Sequence, residues 1–299
     1  MRRITYQIDS FTKERFKGNP AGVVLNADGL TEHQMLLIAR ELNNSETAFL
    51  MSADNNDCDV VIRYFTPKVE VPICGHATIA ALYALATEKK LDSCVLKMKT
   101  KVGVLPFEII NKESDYQIVM TQGEFTLGAE FDKDVIQKLL QALQLENADL
   151  DDRCPIQIAS TGHSKVMIGI KSRNKLNSLM PNNQALIELS ALIKCNGFFV
   201  FTFDTNNKNV LTNGRMFAPA IGINEDPVTG NANGPLGGYL IQNKIVKSNG
   251  NLFEFSAMQG EAIDRLGTMQ VSVTVENDLP VLIRIKGDAT VIFRTEIEL

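Results

Sequence analysis

The chain has 299 residues, 44% of them hydrophobic and 22% charged, the proportions of a soluble globular protein. Its formal net charge of −5 and its lack of a basic run argue against a nucleic-acid partner or an acidic membrane surface. No apolar run approaches the ~18 residues a membrane span needs.

A first strand is expected over 4–8, then a polar turn at Lys17-Gly18-Asn19-Pro20 and a second strand over 21–25. Thr31 is placed to cap a helix whose apolar face is Met35, Ile38, Ala39 and Leu42. Strands follow over 48–51 and 60–64. The stretch 77–87 is apolar on every side, which predicts a buried helix. Strands recur over 95–98, 102–109 and 116–120. The stretch 123–134 reads as a connection, followed by a short helix over 135–145. Strands over 156–159 and 166–170, a helix over 184–194, and strands over 198–203 and 210–217 come next. A second buried helix starts near Gly230, and strands over 252–256, 269–275, 281–286 and 290–295 finish the chain.

This order repeats. Arg63-Tyr64-Phe65-Thr66-Pro67 and Arg215-Met216-Phe217-Ala218-Pro219 both read R-x-F-x-P, about half the chain apart. Each leads into a glycine turn and a small-residue helix, Cys74-Gly75-His76-Ala77-Thr78 in the first case and Asp226-Pro227-Val228-Thr229-Gly230-Asn231-Ala232 in the second. Matching flanks at this period predict two similar lobes, 1–125 and 126–299, with the last strand free to pack back on the first. Strands outnumber helices and few connections resemble βαβ crossovers. The fold class is therefore α+β, with mixed or antiparallel sheets each wrapped round one apolar helix.

Five scattered cysteines, with no C-x-x-C and no leader-like start at Met1-Arg2-Arg3-Ile4, read as reduced thiols in the cytoplasm. Dinucleotide, P-loop and nucleophile-elbow motifs are absent. No cofactor is expected. No metal is expected either, because no two of His33, His76 and His163 sit at ligand spacing on one helix.

The candidate chemistry gathers at the glycine turns. A helix start presents unpaired amides and partial positive charge, and Gly75 and Gly230 let a ligand approach them. Two such ends facing one cleft would bind a carboxylate or hold a developing enolate. Glu46, at the mouth of an apolar strand, suits general acid–base work, or else is an exposed strand-end acid. His76 and His163 each follow a glycine, and Asp226 is biased toward an extended backbone by Pro227. Cys74, at a helix start, is a candidate nucleophile or a small core residue. His163, Ser164 and Asn231 are candidates for specificity.

Together Gly18-Asn19-Pro20-Ala21-Gly22-Val23, Ser45-Glu46-Thr47-Ala48-Phe49, Phe65-Thr66-Pro67, Cys74-Gly75-His76-Ala77-Thr78 and Glu225-Asp226-Pro227-Val228-Thr229-Gly230 resemble the PhzF-like family of isomerases. Ile73 to Thr78 and Gly230-Asn231-Ala232-Asn233-Gly234 resemble its YddE branch in particular. The resemblance covers the whole chain. It implies the diaminopimelate-epimerase-like fold of two pseudo-symmetric lobes and cofactor-free proton transfer on a small carboxylic acid. It assigns catalysis to Glu46, His76 and Asp226 and substrate binding to the region of Gly75, Gly230, Asn231 and Ala232. A homodimer is expected from the family alone. Asn231 departs from the pattern, standing where the phenazine enzyme has serine. Racemases of the same fold use two opposed cysteines. Here Cys74 fills the first place and Thr229 the second, so a one-thiol racemase, epimerase or dehydratase is one alternative. A non-catalytic acid-binding protein is the other.

Overall fold

The structure, a computed structural model, describes residues 2–53, 55–113 and 115–298. It divides into two compact units, Met1–Thr121 with Lys286–Leu299, and Gln122–Ile285.

In the first unit β1 (Arg2–Ser10) pairs antiparallel with β2 (Asn19–Val24). β2 runs parallel to β3 (Thr47–Ser52), with α1 (Glu32–Leu42) between them. β3 pairs antiparallel with β4 (Val60–Phe65), and β4 with the short β5 (Glu70–Val71). After α2 (Gly75–Lys89), β6 (Cys94–Thr100) returns parallel to β4, and β7 (Gly103–Lys112) and β8 (Asp115–Thr121) follow as antiparallel neighbours. The final strand, β18 (Ala289–Glu298), pairs antiparallel with β1. Within this unit α2 packs against β1, β2, β3, β7, β8 and β18. Its residues 76–82 and 84–86 are buried, as its all-round apolar sequence requires.

The second unit repeats the scheme. β9 (Thr126–Glu130) pairs with β10 (Gln157–Ser160), and β10 with β11 (Lys165–Ile170). α3 (Lys133–Leu143) lies between β9 and β10. After α4 (Arg173–Ser178) and α5 (Asn183–Ile193), β12 (Phe198–Thr202) runs parallel to β11 and antiparallel to β13 (Thr212–Ala218). β14 (Ile223–Asp226) pairs antiparallel with β13. α6 (Gly230–Gln242) leads to β15 (Leu252–Gln259), parallel to β13, then β16 (Gly267–Glu276) and β17 (Leu279–Gly287). α6 lies close on its sheet because it lacks side chains there. A Cβ at Gly237 would lie 2.7 Å from Val273, and one at Gly238 2.5 Å from the Phe125 ring.

The α+β class and the central helix in each half therefore match the expectation. The stretch 123–134, read as a connection, contains β9 and the first residues of α3. β9 is largely exposed and lacks the alternation of a half-buried strand, so it is defined by backbone pairing. α4, with six residues, and β5, with two, are too short for periodicity to reveal.

The repeated R-x-F-x-P phrase has a physical basis. Residues i and i+2 of a strand share one face. Arg63 lies over the Phe65 ring at 5.1 Å, and Arg215 over Phe217 at 4.9 Å. Each guanidinium then makes a fork-like pair with a glutamate at or beside the next strand, Arg63 with Glu70 and Arg215 with Glu225.

Glu261, just after β15, binds this unit together by accepting hydrogen bonds from Arg173 and Asn177 of α4 and Asn213 of β13. Burial pushes its carboxyl pKa up, but the Asn177, Arg173 and Asn213 donors together bring it below its ordinary 4.5. A depressed carboxyl contributes stability above its unfolded pKa and loses it as pH falls through the folded value. The wild type should therefore lose more urea resistance than Glu261→Gln on acidification below about 4.5. Parallel acid limbs in the two proteins would disprove this coupling.

Candidate active site

Four of the six described helices begin with a side-chain cap, from Thr31, Asp132, Ser172 and Asn182. The two central helices do not. Neither Cys74 before α2 nor Thr229 before α6 makes a side-chain cap bond. A Cβ built on Gly75 would meet nothing within 4 Å. The first turn of α2 thus combines amide donors, the positive end of a helix and open space.

In the first unit Glu46 occupies the position just before β3, and its carbonyl accepts from Gly22 N of the parallel neighbour at 3.3 Å. This brings its side chain to the start of α2, where Glu46 Oε2 lies 3.4 Å from His76 Nε2. Both groups are largely withdrawn from solvent, with the Glu46 side chain 14% and the His76 side chain 8% exposed. Ser45 Oγ lies 3.3 Å from the same nitrogen, and Cys74 Sγ lies 3.4 Å from Nδ1. A neutral imidazole protonated on Nε2 can donate toward Glu46 and accept the thiol hydrogen at Nδ1. The Ser10 hydroxyl donates to the His76 carbonyl at 2.8 Å. Below it, Tyr64 OH contacts Thr78 Oγ1, which donates to the Cys74 carbonyl at 2.6 Å. These bonds tie the first turn of α2 to β1 and β4.

The donor atoms of Glu46, Cys74 and His76 all lie within 4.8 Å of one another. A carboxylate, a thiol and an imidazole form a donor set of the zinc type. A cavity of about 310 Å³ in this unit, lined partly by Leu85, Glu88 and Lys89 at the far end of α2, contains none of these groups.

In the second unit Asp226 ends β14 and is buried. Thr229 Oγ1 donates to its Oδ2. Gln259, fully buried at the end of β15, organises the turn. Its Nε2 donates to the Asp226 carbonyl at 2.8 Å and to Thr229 Oγ1 at 3.0 Å. Its Oε1 accepts from Thr229 N at 3.0 Å and from Asn233 Nδ2 at 2.9 Å. Gly230 and Ala232 lie buried in the first turn of α6, and Asn231 Oδ1 accepts from Gln122 Nε2 at 3.3 Å. His163 and Ser164 are exposed between β10 and β11.

The structure thus joins Glu46, Cys74, His76 and Gly75 in one unit, and Asp226, Gly230, Asn231 and Ala232 in the other. Sequence reasoning gave no role to Ser10, Ser45 or Gln259: Ser45 stood in a motif only as the neighbour of Glu46, and Ser10 and Gln259 act through contacts between distant elements. Thr229, the counterpart of Cys74, is a hydroxyl already committed to Asp226, so the second half has no thiol at that place.

Residues 8–295 match the family described as phenazine biosynthesis-like protein. The chain belongs to that family. It is 55% identical over 294 residues to an uncharacterized isomerase of Clostridium acetobutylicum, covering 98% of this chain and 97% of the relative. It is 44% identical over 296 residues to the uncharacterized isomerase YddE of Escherichia coli K12, covering 99% and 98%. The trans-2,3-dihydro-3-hydroxyanthranilate isomerase of Pseudomonas aeruginosa is 31% identical over 240 residues, 80% of each chain. Among solved structures, a PhzF-family phenazine biosynthesis protein of Bacillus anthracis aligns over all of both chains with a TM-score of 0.88 and 32% identity. The chain is accordingly an isomerase of the phenazine biosynthesis-like family. Among the described residues, no helix is long and apolar enough to cross a membrane.

Proposed function

We propose that this isomerase moves a proton on a small carboxylic acid by general acid–base catalysis, with Glu46 as the group that removes and returns it. The observation that carries this reading is the 3.4 Å approach of Glu46 Oε2 to His76 Nε2 beside the uncapped start of α2. Glu46 takes a C–H proton, and the electron pair left behind moves into the conjugated acid. The proton then returns at another carbon or on the other face. Amides opening α2 stabilise the negative charge that develops, and His76 positions the acid and assists transfer. In the second unit Asp226, with its turn set by Gln259 and Thr229, is held where it can position an acid at the start of α6. No cofactor enters this scheme. The 31% identical Pseudomonas enzyme is named for an isomerisation of a cyclic amino acid derivative, which supports a small acid as the substrate class here.

The contact between Cys74 Sγ and His76 Nδ1 favours a second reading, with the thiol as the base. Deuterium wash-in separates the two. Candidate acids are incubated in D₂O with wild type and with Cys74→Ala, and incorporation is followed by mass spectrometry. Exchange by wild type that persists in Cys74→Ala supports the carboxylate. Loss in that variant, with folding intact, supports the thiol. Tight binding of an acid that never exchanges would instead indicate a binding protein.

A further inference from the structure

The two units can be compared residue by residue through their backbone registers. In the first, Gly22 N donates to the Glu46 carbonyl, and in the second Val166 N donates to the Gly197 carbonyl at 2.8 Å. In both pairs a parallel strand neighbour begins one residue later. Gly197 is therefore the counterpart of Glu46, and Lys165 is the counterpart of Ala21. The first unit carries a small residue beside a long anionic one. The second carries a long cationic one beside a residue with no side chain.

The lysine fills the vacated space. A Cβ at Gly197 would lie 2.2 Å from Lys165 Cδ and 3.4 Å from Nζ. The face is also the corresponding one. Lys165 and Met167 alternate onto the same side of β11, and Met167 is followed across the sheet by Phe199, Met216 and Asp226. Phe201, on that side of β12, packs against Tyr239 of α6. In the first unit Ala48 and Tyr64 lie on the face of Glu46, and Tyr64 contacts Thr78 of α2. Each charged group thus sits at a strand start on the face covered by the central helix.

We propose that Lys165 is the anion-anchoring residue of the second unit and binds a carboxylate together with the amides that open α6. The ammonium has three donors, and one goes to the Ser164 carbonyl at 3.2 Å. Among the described residues the other two are available to a ligand. Burial lowers the lysine's pKa below its ordinary value, with Cys195 and Asp226 opposing the shift in part. The inference rests on the acid–base reading for the identity of the substrate as an acid, but the labelling test does not require turnover.

The full-length protein is labelled with limiting acetic anhydride, with and without millimolar acetate, malonate or benzoate, and lysine modification is mapped by mass spectrometry. At least one carboxylate should slow labelling of Lys165 and leave the exposed Lys208 unchanged. An unchanged Lys165 rate with all three probes would overturn the proposal. With an acid identified by deuterium wash-in, Lys165→Met should raise KM about 10–100-fold with a smaller change in kcat, and Lys165→Arg should restore part of the loss. Gly197→Ala keeps the lysine but displaces its stem, so it should reproduce the KM defect. Equal KM in wild type and Lys165→Met, or an arginine variant no better than methionine, sinks the inference. Exchange lost in Glu46→Gln with KM intact in Lys165→Met leaves the acid–base reading standing and removes the anchor. Carboxylate protection of Lys165 with undiminished exchange in Glu46→Gln does the reverse.

Discussion

Glu46→Gln is expected to slow deuterium exchange into the substrate by roughly 10²–10⁴-fold, the usual contribution of a positioned acid–base group. Glutamine keeps the shape of the side chain and can still hydrogen-bond to His76, but it cannot accept and return a proton at neutral pH. The loss should therefore fall on kcat and kcat/KM together, with KM little changed. The loss of stability should be small beside the loss of activity, because glutamine keeps the volume and the hydrogen bond to His76. Rates are read by mass spectrometry in D₂O and stability by urea titration of the same samples. Equal exchange by the two proteins would remove Glu46 from the mechanism.

Arg215→Met is expected to destabilise the second unit by about 3–5 kcal/mol, the cost of breaking a buried ion pair by removing one partner. Arg215 and Glu225 side chains are only 8% and 11% exposed. The guanidinium meets Glu225 at 2.9 and 2.6 Å and donates through Nη1 to the Leu176 and Leu179 carbonyls at 3.0 and 2.9 Å. Methionine fills part of the volume but leaves a carboxylate and two carbonyls without these donors. Arg63, its counterpart, is 25% exposed and also meets the well-exposed Glu32. Arg63→Met should therefore cost less, because the buried Glu70 keeps its ion pair with Lys101 and Glu32 is open to water. Urea unfolding of the two variants under identical conditions checks the order. An Arg215 variant as stable as wild type would show that the pair contributes nothing net.

Much of the architecture was readable because it depends on local patterns. Thr31 and Gln34 form the reciprocal capping bonds that begin α1, and the apolar run after Ala77 is the buried helix it suggested. β9 escaped because only its backbone is paired, so its side chains carry no burial pattern. The candidate residues were legible as motifs, each at a glycine turn or strand mouth. Their partners were not. Gln259 is one polar residue at the end of a strand, and only the fold reveals that it holds Asp226, Thr229 and Asn233 in place.

By itself, the sequence determined the duplicated order of elements, the two apolar central helices and the R-x-F-x-P strands, because periodicity and i, i+2 alternation act between near neighbours. Only the tertiary structure decided which distant side chains meet. Glu46, held just before β3 by the pairing of β3 with β2, meets His76 at the start of α2, an element about thirty residues on. Lys165 enters the place of the missing Gly197 side chain because two strands far apart in sequence lie side by side. Such meetings depend on register between strands, a long-range quantity set by packing of the whole unit.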